Sequence, residues 1–221
     1  DDLTEKKRLE AQRSLFERMV SPAVINQLDP NKIQMGGERA NITTLFADIR
    51  GFTSFGESVE PEELVSILNK YLAAAAEAVL KNEGTIDKFM GDAIMAWFNA
   101  PIPQSDHTLR AVKSALALKE SIQKLHKSLP AELRLDFGVG IHYGSAVLGL
   151  IGTEKRLDFT AMGDSVNTAK RIQENAAANQ ILISNIAYQR ISDRVEVLEV
   201  LPISAKGKAN LLNVYEITGL K

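Results

Sequence analysis

Residues 85–98 read TIDKFMGDAIMAWF and decide the fold of the chain. The run from Thr85 to Phe89 and the run from Ala93 to Phe98 have the apolar, β-branched and aromatic character of short strands. Between them stands Met90-Gly91-Asp92, a sequence typical of a tight turn. The stretch therefore predicts a β-hairpin.

Strand and helix patterns alternate around this hairpin. Before it, we expect a buried strand that ends at Asp48 and an amphipathic helix that begins at Pro61 and stops at Gly84. After it, a second amphipathic helix is expected from about Asp106 to His126. The hairpin is thus flanked by a strand and a helix on one side and by a helix on the other.

A second pair of strands is expected farther along, with Leu133 to His142 and Ala146 to Leu150 on either side of Tyr143-Gly144-Ser145. The order strand, helix, hairpin, helix, strand is that of split βαβ folds. The remaining segments extend the sheet, with a helix near residues 165–173 and strands near 181–183, 195–200 and 212–217. We therefore predict an α+β fold with a ferredoxin-like, or palm-like, split βαβ core, an extended and mainly antiparallel sheet, and flanking helices.

The first 37 residues have the pattern of a helical connector, and residues 38–221 that of one domain. We expect a charge-balanced helix over 4–20, a short helix from Ser21-Pro22 to Leu28, and a turn-rich linker that ends at Gly36-Gly37. Apolar residues in the first helix have a/d-like spacing over barely two heptads. This spacing fits equally a solvated helix packed on the domain and the end of a coiled coil that enters from an upstream module.

Charge and composition exclude several classes of protein. Lys and Arg number 26 against 28 Asp and Glu, and the resulting net charge of −2 excludes a nucleic-acid binder that works through bulk positive charge. The absence of cysteine excludes disulfides, zinc–thiolate sites and thiol nucleophiles. The most apolar stretch, Phe137 to Ile151, is too short and too rich in glycine to span a bilayer, and the charged start at Asp1-Asp2 predicts no signal peptide. We therefore expect a cytoplasmic domain, whose full-length protein could still be attached to a membrane.

Two aspartates stand where the predicted strands converge. Asp48 ends the first strand and Asp92 lies in the hairpin turn, and these elements are neighbours in a split βαβ sheet. Two carboxylates that lie close together repel each other unless a cation lies between them, and hard oxygen ligands suit Mg²⁺ or Mn²⁺. Asp is also a favoured turn residue, so Asp92 alone predicts only a turn. Together the two residues predict a metal site.

Other polar residues allow two interpretations each. Asn167 and Arg171 are four residues apart on one face of a predicted helix, where they could bind one ligand or form solvated surface. Lys88 lies within a hairpin strand, where it either reaches the surface or serves a ligand, because an unpaired buried lysine is costly. Lys206-Gly207-Lys208 could hold a phosphate or form an exposed turn.

Four motifs, taken in chain order, resemble the catalytic domain of class III nucleotidyl cyclases of the bacterial adenylate cyclase type. They are Phe46-Ala47-Asp48-Ile49-Arg50-Gly51-Phe52-Thr53, Asp87-Lys88-Phe89-Met90-Gly91-Asp92-Ala93-Ile94-Met95-Ala96, Gly140-Ile141-His142-Tyr143-Gly144 and Gly163-Asp164-Ser165-Val166-Asn167-Thr168-Ala169-Lys170-Arg171. The resemblance covers roughly residues 38–218. The preceding segment, with Met19-Val20-Ser21-Pro22, resembles the connector that joins such domains to upstream sensors, which implies a sensor domain in the full-length chain.

The resemblance implies a site for two divalent cations, Mg²⁺ or Mn²⁺. Asp48 and Asp92 would hold them, assisted by the backbone carbonyl of Ile49. One cation would lower the pKa of the ribose 3′-hydroxyl and the other would bind the triphosphate. Phe52 and Thr53 would offer backbone N–H groups to the phosphates.

The resemblance also assigns the residues that contact the nucleotide. Asn167 would orient the ribose, Arg171 would stabilise charge in the transition state, and Lys206 would bind the triphosphate. Lys88 and Thr160 would select the base. A lysine donor suits adenine N1, and a hydroxyl can accept a hydrogen bond from the 6-amino group, although it could also donate to guanine O6.

The activity implied is that of an adenylate cyclase, which converts ATP to 3′,5′-cyclic AMP and pyrophosphate. In the family the site is shared across a head-to-tail dimer, and this chain carries both sets of residues, so a homodimer is implied. A guanylate cyclase and a catalytically silent, nucleotide-binding regulatory dimer are the alternatives. A diguanylate cyclase is disfavoured, because the hairpin turn reads Met90-Gly91-Asp92-Ala93 rather than Gly-Gly-Asp/Glu-Glu-Phe.

Overall fold

The computed structural model describes residues 6, 7, 10, 36–153, 156–200, 202–204 and 211–221. Residues 6, 7 and 10 are helical. The rest of the predicted connector up to residue 35 lies outside the described residues, as does Lys206. No helix in the described part of the chain is long and apolar enough to cross a membrane.

The described residues from 36 onward contain eight strands and five helices. The strands are β1 (Gly36–Ile49), β2 (Thr85–Met90), β3 (Ala93–Phe98), β4 (Phe137–Thr153), β5 (Arg156–Met162), β6 (Ile181–Ser184), β7 (Val195–Glu199) and β8 (Val214–Leu220). The helices are α1 (Phe52–Gly56), α2 (Pro61–Lys81), α3 (His107–His126), α4 (Asp164–Glu174) and α5 (Asn185–Tyr188), with a 3₁₀ turn at Ala131–Leu133.

The strands form one sheet in the order β2-β3-β1-β4-β6-β8-β7, and β5 pairs with β4 outside this path. The β4–β6 pair is parallel and the other pairs are antiparallel. The predicted α+β fold, with its split βαβ core and mainly antiparallel sheet, is confirmed. The hairpin predicted over residues 85–98 is the β2–β3 pair.

The strand pair predicted around Tyr143-Gly144-Ser145 is wrong, because β4 runs through these residues without a turn. Gly144 is needed there for its lack of a side chain, since a Cβ on it would lie 2.6 Å from the Cβ of Ser165 on α4. The antiparallel partner that follows β4 is β5, which the sequence pattern did not predict. The linker prediction also extended too far, because Gly36 and Gly37 belong to β1 and pair with β4.

The central strands β1 and β3 bury both of their faces. Leu45, Ala47 and Ile49 of β1 point to one face, where the buried core includes side chains of α2 and α3. Phe46, Met95 and Trp97 point to the other face, which β5 and α4 cover through residues such as Ala161, Phe159, Val166 and Ala169. We call the second face the α4 face. Because side chains alternate along a strand, Asp48 shares the α4 face with Phe46.

Glycines on β4 allow α4 to lie directly on the sheet. Gly138, Gly140 and Gly144 are spaced by even numbers and therefore point to the same face. A Cβ on Gly140 would overlap the backbone nitrogen of Gln173 and lie 2.7 Å from the carbonyl oxygen of Ala169. These glycines set the distance between α4 and the sheet.

Replacing Gly140 by Ala is expected to push α4 away from β4 and to lower the free energy of unfolding by about 2 kcal/mol, because the overlap is with backbone atoms that cannot turn aside. Thermal and urea unfolding measure the change. Gly219→Ala on β8 is the matched control, because a Cβ there meets only the Glu196 carboxylate at 3.4 Å. Equal stability of the two variants would contradict the close approach.

A buried histidine lies beneath the sheet at the start of α3. His107 is 3% exposed, and its ring Nδ1 lies 2.7 Å from the hydroxyl oxygen of Thr43. The Arg190 guanidinium lies 3.2 Å from Nε2 and stacks over the Tyr143 ring at 4.0 Å. Burial, together with the positive charge of Arg190, lowers the pKa of His107 to about 4.

This pKa predicts a loss of stability in mild acid. The unfolded chain takes up a proton at His107 near pH 6.5, whereas the folded chain does so only near pH 4, so protonation favours unfolding between these values. From pH 7 to pH 5 the wild type should lose about 2 kcal/mol more than a His107→Gln variant. Urea unfolding across this range measures the difference, and parallel curves for the two proteins would refute the assignment.

Candidate active site

The end of β1 and the β2–β3 turn bring two carboxylates together. Asp48 is opposite Ala93 in the β1–β3 register, and the backbone N–H of Ile49 donates to the carbonyl oxygen of Asp92 at 3.2 Å. Gly91 permits the tight turn before Asp92 with its φ of 64°. The convergence of Asp48 and Asp92 thus follows from backbone pairing at the centre of the sheet.

The charge around Asp48 indicates what the site can hold. Burial, followed by repulsion from Asp92, raises the pKa of the Asp48 carboxyl. Lys170 and Arg50 oppose this rise, and an Arg50 Nη1 atom lies 3.7 Å from an Asp48 carboxylate oxygen. A divalent cation fits this donor set, because both side chains offer hard oxygen ligands and their mutual repulsion would be relieved.

Protein carboxylates would supply only part of a cation's coordination shell. No group of three or more His, Cys, Asp or Glu side chains placed to hold a metal occurs in the described ranges. Asp48, Asp92 and the Ile49 carbonyl would therefore need oxygen atoms from a bound ligand or water to complete the shell. A site of this kind suits a cation that arrives with a phosphorylated ligand.

The residues after β1 open directly into a short helix. Gly51 has a φ of 74°, a left-handed conformation that turns the chain sharply into α1. Phe52 and Thr53 are the first residues of that helix, whose opening N–H groups have no acceptor within the helix. They follow Asp48 by four and five residues, beside the same end of the sheet.

Helix α4 presents different residues to the sheet and to the outside. Val166, Ala169 and Ile172 are buried against the sheet, whereas Asn167 is exposed and Arg171 is half-buried one turn later. Lys170 is the α4 residue whose positive charge lowers the pKa of Asp48, and its ammonium also lies 5.8 Å from the centre of the Phe46 ring. Asn167 and Arg171 share one outward side, as their spacing predicted.

Lys88 and Thr160 are brought together by a residue that sequence reasoning did not single out. The Thr160 hydroxyl donates to Asp87 Oδ2 at 2.5 Å, and the Lys88 ammonium lies 3.4 Å from Oδ1 of the same carboxylate. The Asp87 side chain is 1% exposed and that of Lys88 is 41% exposed. Lys88 therefore reaches the surface with its charge paired. An Asp inside a predicted strand, where Asp is disfavoured, was the signal available in the sequence.

Burial also governs the titration of Asp87. It raises the pKa of this carboxyl, while the Thr160 hydrogen bond and the charge of Lys88 lower it. A buried carboxylate remains ionised only when such partners compensate for the lost water. Asp87, Lys88 and Thr160 thus form one polar unit across β2 and β5, which we call the Asp87 cluster.

Removing the second carboxylate should lower the pKa of the first. In a metal-free Asp92→Asn variant we expect the pKa of Asp48 to fall relative to the wild type, because a like charge has been removed. Carboxyl ¹³C NMR titration measures it. Asp193→Asn, at an exposed turn, is the control and should leave Asp48 unchanged. An unchanged pKa in the Asp92 variant would mean that the two carboxylates are not close.

The known proteins that are similar to this chain include both adenylate cyclases and guanylate cyclases. The chain is 35% identical over 188 residues to adenylate cyclase 1 of Rhizobium meliloti, which covers 82% of this chain and 28% of that protein. The adenylyl cyclase CyaB from P. aeruginosa superposes with a TM-score of 0.78 at 32% identity, over 82% of this chain and 95% of that one. The guanylyl cyclase Cya2 superposes with a TM-score of 0.76 at 38% identity, over 85% and 96%.

The relatives are longer than this chain, which spans between 8% and 42% of the first three curated proteins it matches. The model of the adenylate and guanylate cyclase catalytic domain matches residues 36–219, from the start of β1 almost to the end of β8. This match agrees with the resemblance that the four sequence motifs predict. The chain belongs to the family of adenylate and guanylate cyclase catalytic domains.

Proposed function

We propose that this chain is the catalytic domain of an adenylate cyclase, which converts ATP to 3′,5′-cyclic AMP and pyrophosphate. The observation that carries the proposal is the convergence of Asp48 and Asp92 at the end of β1, where burial and mutual repulsion favour a bound cation. A catalytically silent domain does not need two carboxylates held close together at an electrostatic cost. The presence of both Asp48 and Asp92 therefore favours an enzyme over a regulatory dimer.

Asp48, Asp92 and the Ile49 carbonyl would hold two divalent cations, Mg²⁺ or Mn²⁺. Cations bound there would lower the pKa of a coordinated hydroxyl and neutralise phosphate charge. The ribose 3′-hydroxyl gives its proton to solvent water, and its oxygen forms a bond to the α-phosphorus in line. The bond from the α-phosphorus to the oxygen that bridges to the β-phosphate breaks, and pyrophosphate leaves. The N–H groups of Phe52 and Thr53 at the start of α1 contact the phosphates.

A second set of residues acts on the rest of the nucleotide. Asn167 orients the ribose, and Arg171 stabilises the negative charge that develops on the phosphoryl oxygens. Lys206, which lies outside the described residues, binds the triphosphate. Lys88 donates to adenine N1, and Thr160 accepts a hydrogen bond from the 6-amino group.

Both sets come together only in a head-to-tail homodimer. Asn167 and Arg171 face outward on α4, and Lys170 rather than Arg171 is the α4 cation that acts on Asp48. The outward position of Arg171 supports a role at a nucleotide that is bound against a partner's carboxylates. A sensor domain upstream of the catalytic domain is supported by the greater length of the relatives.

A guanylate cyclase is the second candidate, and the 38% identity to Cya2 is the observation that favours it. Lys88 argues for ATP, because an ammonium group only donates and guanine N1 already carries a hydrogen. Incubating the purified protein with ATP or GTP and with Mg²⁺ or Mn²⁺, followed by chromatography of the products, decides between the two. We expect cyclic AMP as the main product. Predominant cyclic GMP would establish the second candidate, and no cyclic nucleotide under any combination would refute both.

Mixing two inactive variants should restore activity. Asp48→Ala removes one cation ligand and Arg171→Ala removes the residue for transition-state charge, so each homodimer should lose at least about 100-fold in kcat. A mixed dimer retains one intact site, and an equimolar mixture should recover about a quarter of wild-type activity if the chains exchange at random.

The controls are the two variants assayed alone and circular dichroism of each. Formation of mixed dimers is measured independently by native mass spectrometry. Mixed dimers without recovered activity would contradict the shared site.

A further inference from the structure

In the Asp87 cluster, the hydrogen of the Thr160 hydroxyl is already donated to a carboxylate. Thr160 donates to Asp87 Oδ2 at 2.5 Å, a short distance typical of a hydroxyl bound to a carboxylate. An ionised carboxylate only accepts hydrogen bonds, and a threonine hydroxyl has one hydrogen. Towards any ligand, Thr160 Oγ1 can therefore act only as an acceptor.

The same carboxylate sets the position of the Lys88 ammonium without consuming it. Lys88 Nζ lies 3.4 Å from Asp87 Oδ1, an ion pair in which Oδ1 has no hydrogen bond of standard geometry. An ammonium group carries three donor hydrogens, so donors remain for a ligand. With 41% of its side chain exposed, Lys88 can reach a ligand at the surface.

We propose that Asp87 is the positioning residue that sets base selectivity, because it fixes Thr160 as an acceptor beside the Lys88 donor. This pattern complements adenine, which offers an amino group at position 6 and an acceptor at N1. It opposes guanine, which offers an acceptor at O6 and a hydrogen at N1. The inference rests on the proposed function, and it removes the ambiguity of a free threonine hydroxyl, which could donate to O6.

The substitution Asp87→Asn should reverse the polarity of Thr160. The Lys88 ammonium has only hydrogens to offer, so the amide oxygen of the introduced side chain turns towards it and the amide NH₂ turns towards Thr160. Thr160 then accepts from the amide, and its own hydrogen becomes free to donate to guanine O6. The change keeps the size of the side chain, removes its charge and replaces one acceptor oxygen by an NH₂ donor.

Direct binding tests this without depending on turnover. We would measure Kd for 3′-deoxy-ATP and 3′-deoxy-GTP, which lack the attacking hydroxyl, on the dimeric wild-type protein and on the Asp87→Asn variant. We expect the preference for the adenine nucleotide to fall by roughly tenfold or more in the variant. Asp193→Asn, at an exposed turn, should keep the wild-type ratio. A ratio for Asp87→Asn within twofold of the wild type would overturn the proposal.

A second comparison shows whether Asp87 acts through Thr160. In a Thr160→Val background no hydroxyl remains to be oriented, so adding Asp87→Asn should change the base preference by less than twofold. When Thr160 is present, a merely structural effect of Asp87→Asn would weaken the binding of both nucleotides equally and leave the ratio of their Kd values unchanged. An equal fall in preference with and without the hydroxyl would show that Thr160 is not the intermediary.

A test on the unmodified protein covers the case in which the variant does not fold. N6-methyl-ATP and the 6-methoxypurine nucleotide have a similar size, but the first presents a donor at position 6 and the second only an acceptor. The wild type should bind the donor form roughly tenfold tighter or more. Equal affinities would refute a hydroxyl fixed as an acceptor. Failure of the proposed function is recognised separately, by the absence of cyclic nucleotide in the product assay.

Discussion

The antiparallel pairing of β1 with β3 is the constraint on which the candidate site depends. It places Asp48 opposite Ala93 and links the Ile49 N–H to the Asp92 carbonyl oxygen at 3.2 Å. Burial, followed by repulsion from the Asp92 carboxylate, raises the pKa of Asp48, so an ionised pair of carboxylates has an electrostatic cost at this place. The backbone of the core thus holds a charge arrangement that becomes favourable when a cation binds.

The second constraint is the close contact between α4 and β4. Glycines at alternate positions of β4 leave room for the helix backbone, so the orientation of α4 about its own axis is fixed. That orientation directs Lys170 towards Asp48 and leaves Asn167 and Arg171 on the outside. Asp48 and the outward residues of α4 therefore lie on the same face of the sheet, and Asn167 and Arg171 are on the side of α4 that is turned away from it.

Much of this arrangement could be predicted from local patterns. The hairpin at residues 85–98 and the long helices were found because turn residues and apolar periodicity agree with the fold. The prediction failed at Tyr143-Gly144-Ser145, because glycine is read as a turn signal whereas Gly144 serves helix packing. Strand β5 and the contact between Asp87 and Thr160 were not predicted. Thr160 on β5 lies 73 residues after Asp87, and local sequence does not reveal a hydrogen bond between residues so far apart.

The proposed function requires that one nucleotide site be built from two chains. A crystal structure of the protein with 3′-deoxy-ATP and Mn²⁺ is the decisive experiment. We expect a head-to-tail dimer in which Asp48 and Asp92 of one chain hold the metal ions, while Lys88, Thr160 and Arg171 of its partner contact the same nucleotide. A nucleotide bound entirely within one chain, or metal ions away from Asp48 and Asp92, would contradict it.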